Sequence, residues 1–252
     1  MLGAYFDGSR TNGHSLTLSA VAADMKLWES LEDQWKYVLK DRGGAPYMHM
    51  KEAMPLKESF ATWVPSNRDF LLNGLIALLA EFSHKPRFAF FTCTVDLEAH
   101  RRLRKIKYIP PPERLCSRIV FPKLLDWYGA FSDPILDVIE VYFDRNEKFI
   151  GHIQRDWENK KIRRENPVWD LIRTIAPADM RITPPLQVAD MIAWSRNRLA
   201  APIAGANPLV IKPSVTVKDY FSVLARRIIH GQLPDHNVDV TEQIMATQEY
   251  AR

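Results

Sequence analysis

Cysteine is nearly missing from this chain: Cys93 and Cys116 are the only two in 252 residues, and no CxxC pair occurs. That argues against a disulfide framework and against a thiolate zinc site, and makes a reducing cytoplasm the expected compartment. Long apolar runs are missing too. A membrane span needs roughly 18–20 apolar residues, and the best approach, residues 71–82, is interrupted by Asn73, Gly74 and Glu81 and reads as a core helix. The first residues enter a strand pattern at once and lack a signal-peptide pattern. There is no internal repeat, no low-complexity tract, no GxSxG elbow, no Walker A loop, no GxGxxG after a strand and no HExxH helix. Nothing places a triad among the scattered Ser, His and Asp residues. Charge of one sign is not in large excess either, since 34 Lys and Arg face 30 Asp and Glu for a net +4.

What is present is an ordinary globular composition, 46% hydrophobic and 25% charged, long enough to bury a sizeable core. Strand and helix signals alternate along it. Strands are expected at residues 2–8, 16–23, 87–97, 135–143 and 171–175, the first two joined by Asn12-Gly13 turn chemistry. Helices are expected at 25–41, 67–83, 113–131, 148–164, 186–199 and 217–229. The stretch 98–112 ends in Pro110-Pro111-Pro112 and is expected to be an extended loop. The alternation predicts an α/β class, with a hairpin at the start and therefore a mixed sheet. The domain reading is a catalytic unit over 1–200 and a C-terminal helical extension over 201–252 packed on it.

The chemistry-bearing feature is a set of aspartates placed where apolar elements end or turn. Asp7 follows Gly3-Ala4-Tyr5-Phe6, Asp144 follows Val141-Tyr142-Phe143, and Asp190 lies inside Leu186-Gln187-Val188-Ala189-Asp190-Met191-Ile192-Ala193-Trp194. A carboxylate in apolar surroundings is costly unless it is paired, hydrogen-bonded or bound to metal. Three such residues, distant in sequence, point to convergence on a cation. Plainer readings stand beside this one. Asp7 before Gly8-Ser9 suits a turn, Asp144 before Arg145-Asn146 suits a helix cap, and Asp190 near a helix start complements the dipole. Glu52 is a further candidate acid with Glu58 as its rival, and His49 is a candidate for leaving-group or supporting work. Basic clusters occur at Arg101, Arg102, Arg104 and Lys105 and at Lys160, Lys161, Arg163 and Arg164. Each reads as a solvated helix face or, with Tyr108, Trp157 and Trp169 nearby, as a contact for a polyanion.

An early hairpin with an acid in its first strand, a later strand ending in an acid, and an acid on a final buried helix is the ribonuclease-H-like plan. The pieces Phe6-Asp7-Gly8-Ser9, His49-Met50-Lys51-Glu52, Val141-Tyr142-Phe143-Asp144 and Leu186-Gln187-Val188-Ala189-Asp190-Met191-Ile192-Ala193 together resemble the domain-of-unknown-function family 3800. One departure is visible: that family usually opens with Asp-Glu-Ser-Gly, whereas this chain has Asp7-Gly8-Ser9-Arg10. The resemblance implies an RNase-H-like mixed sheet flanked by helices, with Asp7, Glu52, Asp144 and Asp190 as the acidic set. Ser9, His49 and Gln187 would support them, and Mg²⁺ or Mn²⁺ would be held between them. The function so implied is a divalent-metal-dependent nuclease or related phosphoryl-transfer enzyme acting on DNA or RNA by a carboxylate two-metal mechanism. The competing expectation is a catalytically inactive nucleic-acid-binding or protein-interaction module on the same fold.

Overall fold

A computed structural model describes residues 1–11, 14–106, 108–130, 138–145, 147, 149–159, 167–200 and 238–239. The elements are β1 (Leu2–Thr11), β2 (Ser15–Asp24), α1 (Met25–Asp41), α2 (Met50–Ala53), α3 (Pro65–Phe82), β3 (Phe88–Asp96), α4 (Leu97–Arg104), α5 (Pro112–Gly129), β4 (Ile139–Asp144), α6 (Ile150–Glu158), β5 (Ile172–Ala178), α7 (Pro184–Ala200) and a two-residue strand, β6 (Val238–Asp239). No helix among the described residues is long and apolar enough to cross a membrane.

The sheet order is β5-β4-β1-β2-β3-β6. The first three strands form an antiparallel meander, β1 against β2 and β2 against β3. Then β4 returns to lie parallel to β1 on its other side, and β5 lies parallel to β4. An acid-bearing central strand, flanked by its own hairpin partner and by a later parallel strand, is the ribonuclease-H-like arrangement. The molecule is an α/β protein of that fold.

Alternation along the strands divides the side chains between two helical layers. Leu2, Ala4 and Phe6 of β1, with Leu18, Ala20, Phe91, Val141 and Phe143, face α5 and α6 in one core. Phe6 stacks on Phe143 at 4.8 Å there. Tyr5 and Val21 face the other way, toward Trp28 and Trp35 of α1, Leu72 and Leu75 of α3, and Val188 and Ile192 of α7. Tyr5 stacks on Tyr142 at 5.2 Å on that side.

One expected element differs. Residues 97–104 form a helix rather than an extended loop, because Asp96 caps it: its Oδ1 accepts from the amides of Glu98 at 2.8 Å and Ala99 at 3.0 Å. That satisfies two of the orphan donors of the first turn. Pro110 and Pro111 restrain only the chain just before α5, and Pro112 opens that helix. The expected extension 201–252, with its helix at 217–229, lies outside the described residues apart from β6, which pairs with Cys93 and Thr94 at the edge of β3.

Candidate active site

Asp7 is not a turn residue. The strand β1 runs four residues past it, and Asp7 sits opposite Ser19 in the β1–β2 ladder. Asp144 does not cap a helix, since α6 begins after Phe149. Phe6 pairs with Phe143, so Asp7 and Asp144 are the next residues on two parallel neighbours. Both follow residues of the apolar core, and both share a face with the Tyr5–Tyr142 stack. That is the face covered by α7. Asp190 lies in the second turn of α7, beyond the first-turn position where a helix dipole would account for it. Asp7 is 3% exposed and Asp190 5%.

The charges of these three acids act on one another. The Asp7 carboxyl is held well above the usual carboxylate range, first by burial and then by the charges of Asp190, Glu147 and Asp144. Asp190 is also raised, chiefly by burial, while His49, the Met50 amide and a hydrogen bond shared with Asp7 act the other way.

Glu147 is the member of this cluster that sequence reasoning missed. Its amide donates to the Asp144 carbonyl at 2.9 Å, and this tight turn carries the side chain back over the end of β1. Burial, then the charges of Asp144 and Asp190, push its carboxyl up to about 7. The Gly8 amide acts on the carboxyls of both Asp7 and Glu147, favouring their ionised forms. Four carboxyl groups thus meet at one end of the sheet.

Their surroundings are built to hold them. Asp190 Oδ2 accepts from the Met50 amide at 2.6 Å. One turn earlier, Gln187 Oε1 accepts from the Met48 amide at 2.9 Å and from Trp35 Nε1 at 2.8 Å, while its Nε2 donates to the Met180 carbonyl at 2.9 Å. Gln187 is thus a clamp on residues 48–50 and not a partner of the Asp190 side chain. The clamp fixes His49, whose Nδ1 lies 2.9 Å from Glu52 Oε1. Glu52 Oε2 accepts from Tyr47 Oη at 2.8 Å. Glu52 is thus bonded to His49 and Tyr47, and it is not among the largest influences on Asp7 or Asp190. Glu58 starts a short 3-10 turn further along. Ser9 lends its carbonyl, which accepts from Asn197 Nδ2 at 3.2 Å.

Ser19 is a buried group beside Asp7 whose hydroxyl is unanswered. It is fully buried, directly across the ladder from Asp7, and its hydroxyl has no hydrogen-bond partner among the described residues. A buried hydroxyl without a partner is uncommon and costs free energy. The donor set is entirely oxygen and rich in carboxylate, which suits a hard divalent ion such as Mg²⁺ or Mn²⁺. Among the described residues, no three His, Cys, Asp or Glu side chains already stand in a metal-holding arrangement. The fit is one of chemistry and convergence.

Basic groups border this end of the sheet. Arg10 acts on Glu147 and is paired with Glu113 at the start of α5. Arg114 and Arg118 both pair with Asp156 of α6. Arg101, Arg102, Arg104 and Lys105 are exposed on and just after α4. That helix leaves β3 at Asp96, which is level with Ser15 of β2 and hence with Thr11 of β1. Lys160, Lys161, Arg163 and Arg164 lie outside the described residues.

No protein-family model matches this chain, and no curated relative matches it. Among solved structures it is similar to a mutant of Bst-RNase HIII at 11% identity, over 81% of this chain and 55% of that one, with a TM-score of 0.41. It is similar to ribonuclease HII of Archaeoglobus fulgidus, solved with PCNA, at 14% identity over 93% and 92%, TM-score 0.39. It is also similar to ribonuclease H2 of Pyrococcus horikoshii OT3 at 13% identity over 93% and 91%, TM-score 0.38. The chain spans about half the length of the first of these proteins. The fold assignment rests on strand order and direction.

Proposed function

We propose that this chain is a divalent-metal-dependent nuclease of the domain-of-unknown-function family 3800, hydrolysing phosphodiester bonds in DNA or RNA. The observation that carries the reading is the meeting of Asp7, Asp144 and Asp190, from two adjacent parallel strands and a buried helix. The family resemblance adds a second support. Three of its four pieces each bring one of these acids, and the fourth, residues 49–52, is bonded to Asp190 through the Met50 amide.

Asp7, Asp144 and Asp190 would hold Mg²⁺ or Mn²⁺. When bound, such ions supply an activated water and stabilise charge on the leaving oxygen. The chain's own residues prepare for this. A divalent cation held among these carboxylates would relieve their mutual repulsion and favour their ionised forms. The Gly8 amide favours the ionised form of Asp7 and Glu147. Trp35, Met48 and Met180 fix Gln187, and Gln187 fixes the segment carrying His49. With Nδ1 engaged by Glu52, His49 has Nε2 left for proton exchange with a substrate. Arg10 and the basic face of α4 supply positive charge for a phosphate backbone beside the acids.

The test is a panel of labelled single-stranded, duplex and hybrid oligonucleotides incubated with Mg²⁺ or Mn²⁺, wild type against Asp144→Asn. Wild type is expected to cleave at least one substrate class, and the substitution to slow it about 100-fold or more. Equal cleavage by both proteins would remove the site. Tight binding with no cleavage of any substrate would establish the inactive binding module instead.

A further inference from the structure

Position 8 is where β1 would carry a side chain toward α6, and it carries none. A Cβ built there would lie 2.8 Å from Glu147 Oε2 and 2.5 Å from Phe149 Cε2. Real Cβ atoms essentially never come that close, so the glycine is what leaves room for the Glu147 carboxylate. The same residue offers its amide to Glu147 and to Asp7. The turn closed by the Glu147 amide on the Asp144 carbonyl delivers the carboxylate to this gap. Arg10, the cation acting on Glu147, is already paired with Glu113. Facing the cluster from β2, the Ser19 hydroxyl is fully buried and has no partner among the described residues.

We infer that Glu147 is a ligand of the divalent-metal site together with Asp7, Asp144 and Asp190, and that the absence of a side chain at Gly8 is the condition for it. The inference rests on the metal-dependent reading above and deepens it. It places the fourth acid on the turn after β4. A loop-borne carboxylate reaches the site only when the turn is closed, whereas an acid on β1 would be fixed by the sheet. Glu52, bonded to His49 and Tyr47, then positions the histidine and leaves the metal alone.

The measurement is calorimetric titration of Mn²⁺ into wild type, Asp144→Asn, Glu147→Gln and Gly8→Ala, with melting curves of each in EDTA. Glu147→Gln is isosteric, removes a charge from a repelling cluster and is expected to melt no lower than wild type. It is expected to weaken Mn²⁺ binding about tenfold or more, a loss typical of disturbing a metal's supports. Gly8→Ala is expected to weaken binding similarly although Glu147 is retained, because the methyl displaces the carboxylate. If Asp144→Asn loses Mn²⁺ while Glu147→Gln binds it as wild type does, the assignment of Glu147 is overturned and the three-aspartate site survives. If wild type takes up no Mn²⁺, or Asp144→Asn binds as well as wild type, both fall together. Wild-type affinity in a folded Gly8→Ala protein would overturn the role of the glycine.

Discussion

Residues 6 and 7 are neighbours in one strand, yet they belong to different chemistries. Phe6 and Phe143 face α5 and α6 in a layer that is apolar along the sheet as far as Gly8, where the Glu147 carboxylate enters: Leu2, Ala4, Leu16, Leu18, Ala20, Phe91, Cys93 and Val95 all point there. Asp7 and Asp144 face α7, and on that side the sheet changes character part-way along. Up to Tyr5, Val21, Phe88 and Phe90 it is apolar and packs on Trp28 and Leu72. Beyond that level it carries Asp7, Ser9, Ser15, Thr17, Ser19, Thr92 and Thr94. Thr17 Oγ1 and Thr94 Oγ1 meet at 2.9 Å, and Asn197 Nδ2 of α7 donates to Thr17 Oγ1 at 3.3 Å. One layer holds the fold. The other gives up apolar packing over half its length and buries carboxylates and hydroxyls instead, as expected where stability is exchanged for chemistry.

The sharpest way to break this comparison is to mutate across the Phe143–Asp144 bond. Phe143→Ala is expected to cost about 3–5 kcal/mol, since it empties a fully buried ring site between Phe6 and the α5 layer. Asp144→Asn, one residue on, is expected to leave the metal-free protein as stable as wild type or more so, because it removes one charge from a crowded set. Urea unfolding of both in EDTA decides the matter. A loss of similar size from the two substitutions would mean that the polar layer also holds the fold.

The next effect is the pH dependence of the metal-free protein. Asp7, Asp190 and Glu147 have folded-state values above their ordinary ones, Glu147 at about 7. The folded state therefore binds protons more tightly than the unfolded chain. The sign follows: the Glu147 contribution is present below about pH 4.5 and is lost as pH rises through about 7, while that of Asp7 and Asp190 begins to be lost above about pH 3.8. For Glu147 alone the loss is on the order of a few kcal/mol. Unfolding free energies of wild type and Glu147→Gln, measured from pH 4.5 to 8 in EDTA, should diverge as pH rises, the wild type falling faster. Saturating Mn²⁺ should abolish the divergence. Parallel curves in EDTA would mean that Glu147 is solvated and not part of the cluster.

The sequence showed the aspartates because desolvation is legible in one dimension. An acid at the end of Val141-Tyr142-Phe143 or inside the helix of Asp190 has few benign explanations. The strand and helix plan was legible for the same reason, with α1 falling on its expected residues 25–41. Glu147 was not legible. It sits among Arg145, Asn146 and Lys148, a composition shared by any solvated turn, and its importance comes from the pairing that brings the turn over β1. The one trace it leaves is Gly8, a residue without a side chain where a strand would otherwise have one, and that trace acquires meaning only once its neighbour is known. The helix α4 was hidden by the three prolines that follow it, although Asp96 two residues before Glu98 was a readable cap. Glu52 shared a motif with His49, and motif order cannot tell an acid that meets the metal from one that holds a histidine.

The smallest expected effect tests the polar layer at its least conspicuous member. Ser19 and Ala20 are both fully buried in β2, on opposite faces. Ser19→Ala removes a hydroxyl that has no partner among the described residues, so in EDTA it should change stability by less than about 1 kcal/mol, in the stabilising direction if at all. A structural hydroxyl, bonded in the folded state, would behave the other way and lose about 1 kcal/mol or more on removal. With Mn²⁺ present the order should reverse: a hydroxyl facing Asp7 has a function once the carboxylate is ionised and the site is wet, so the metal-induced rise in melting temperature should be smaller in the variant. A rise equal to that of wild type would make Ser19 a mere packing residue, and would move the boundary between the two halves of this face one residue closer to Asp7.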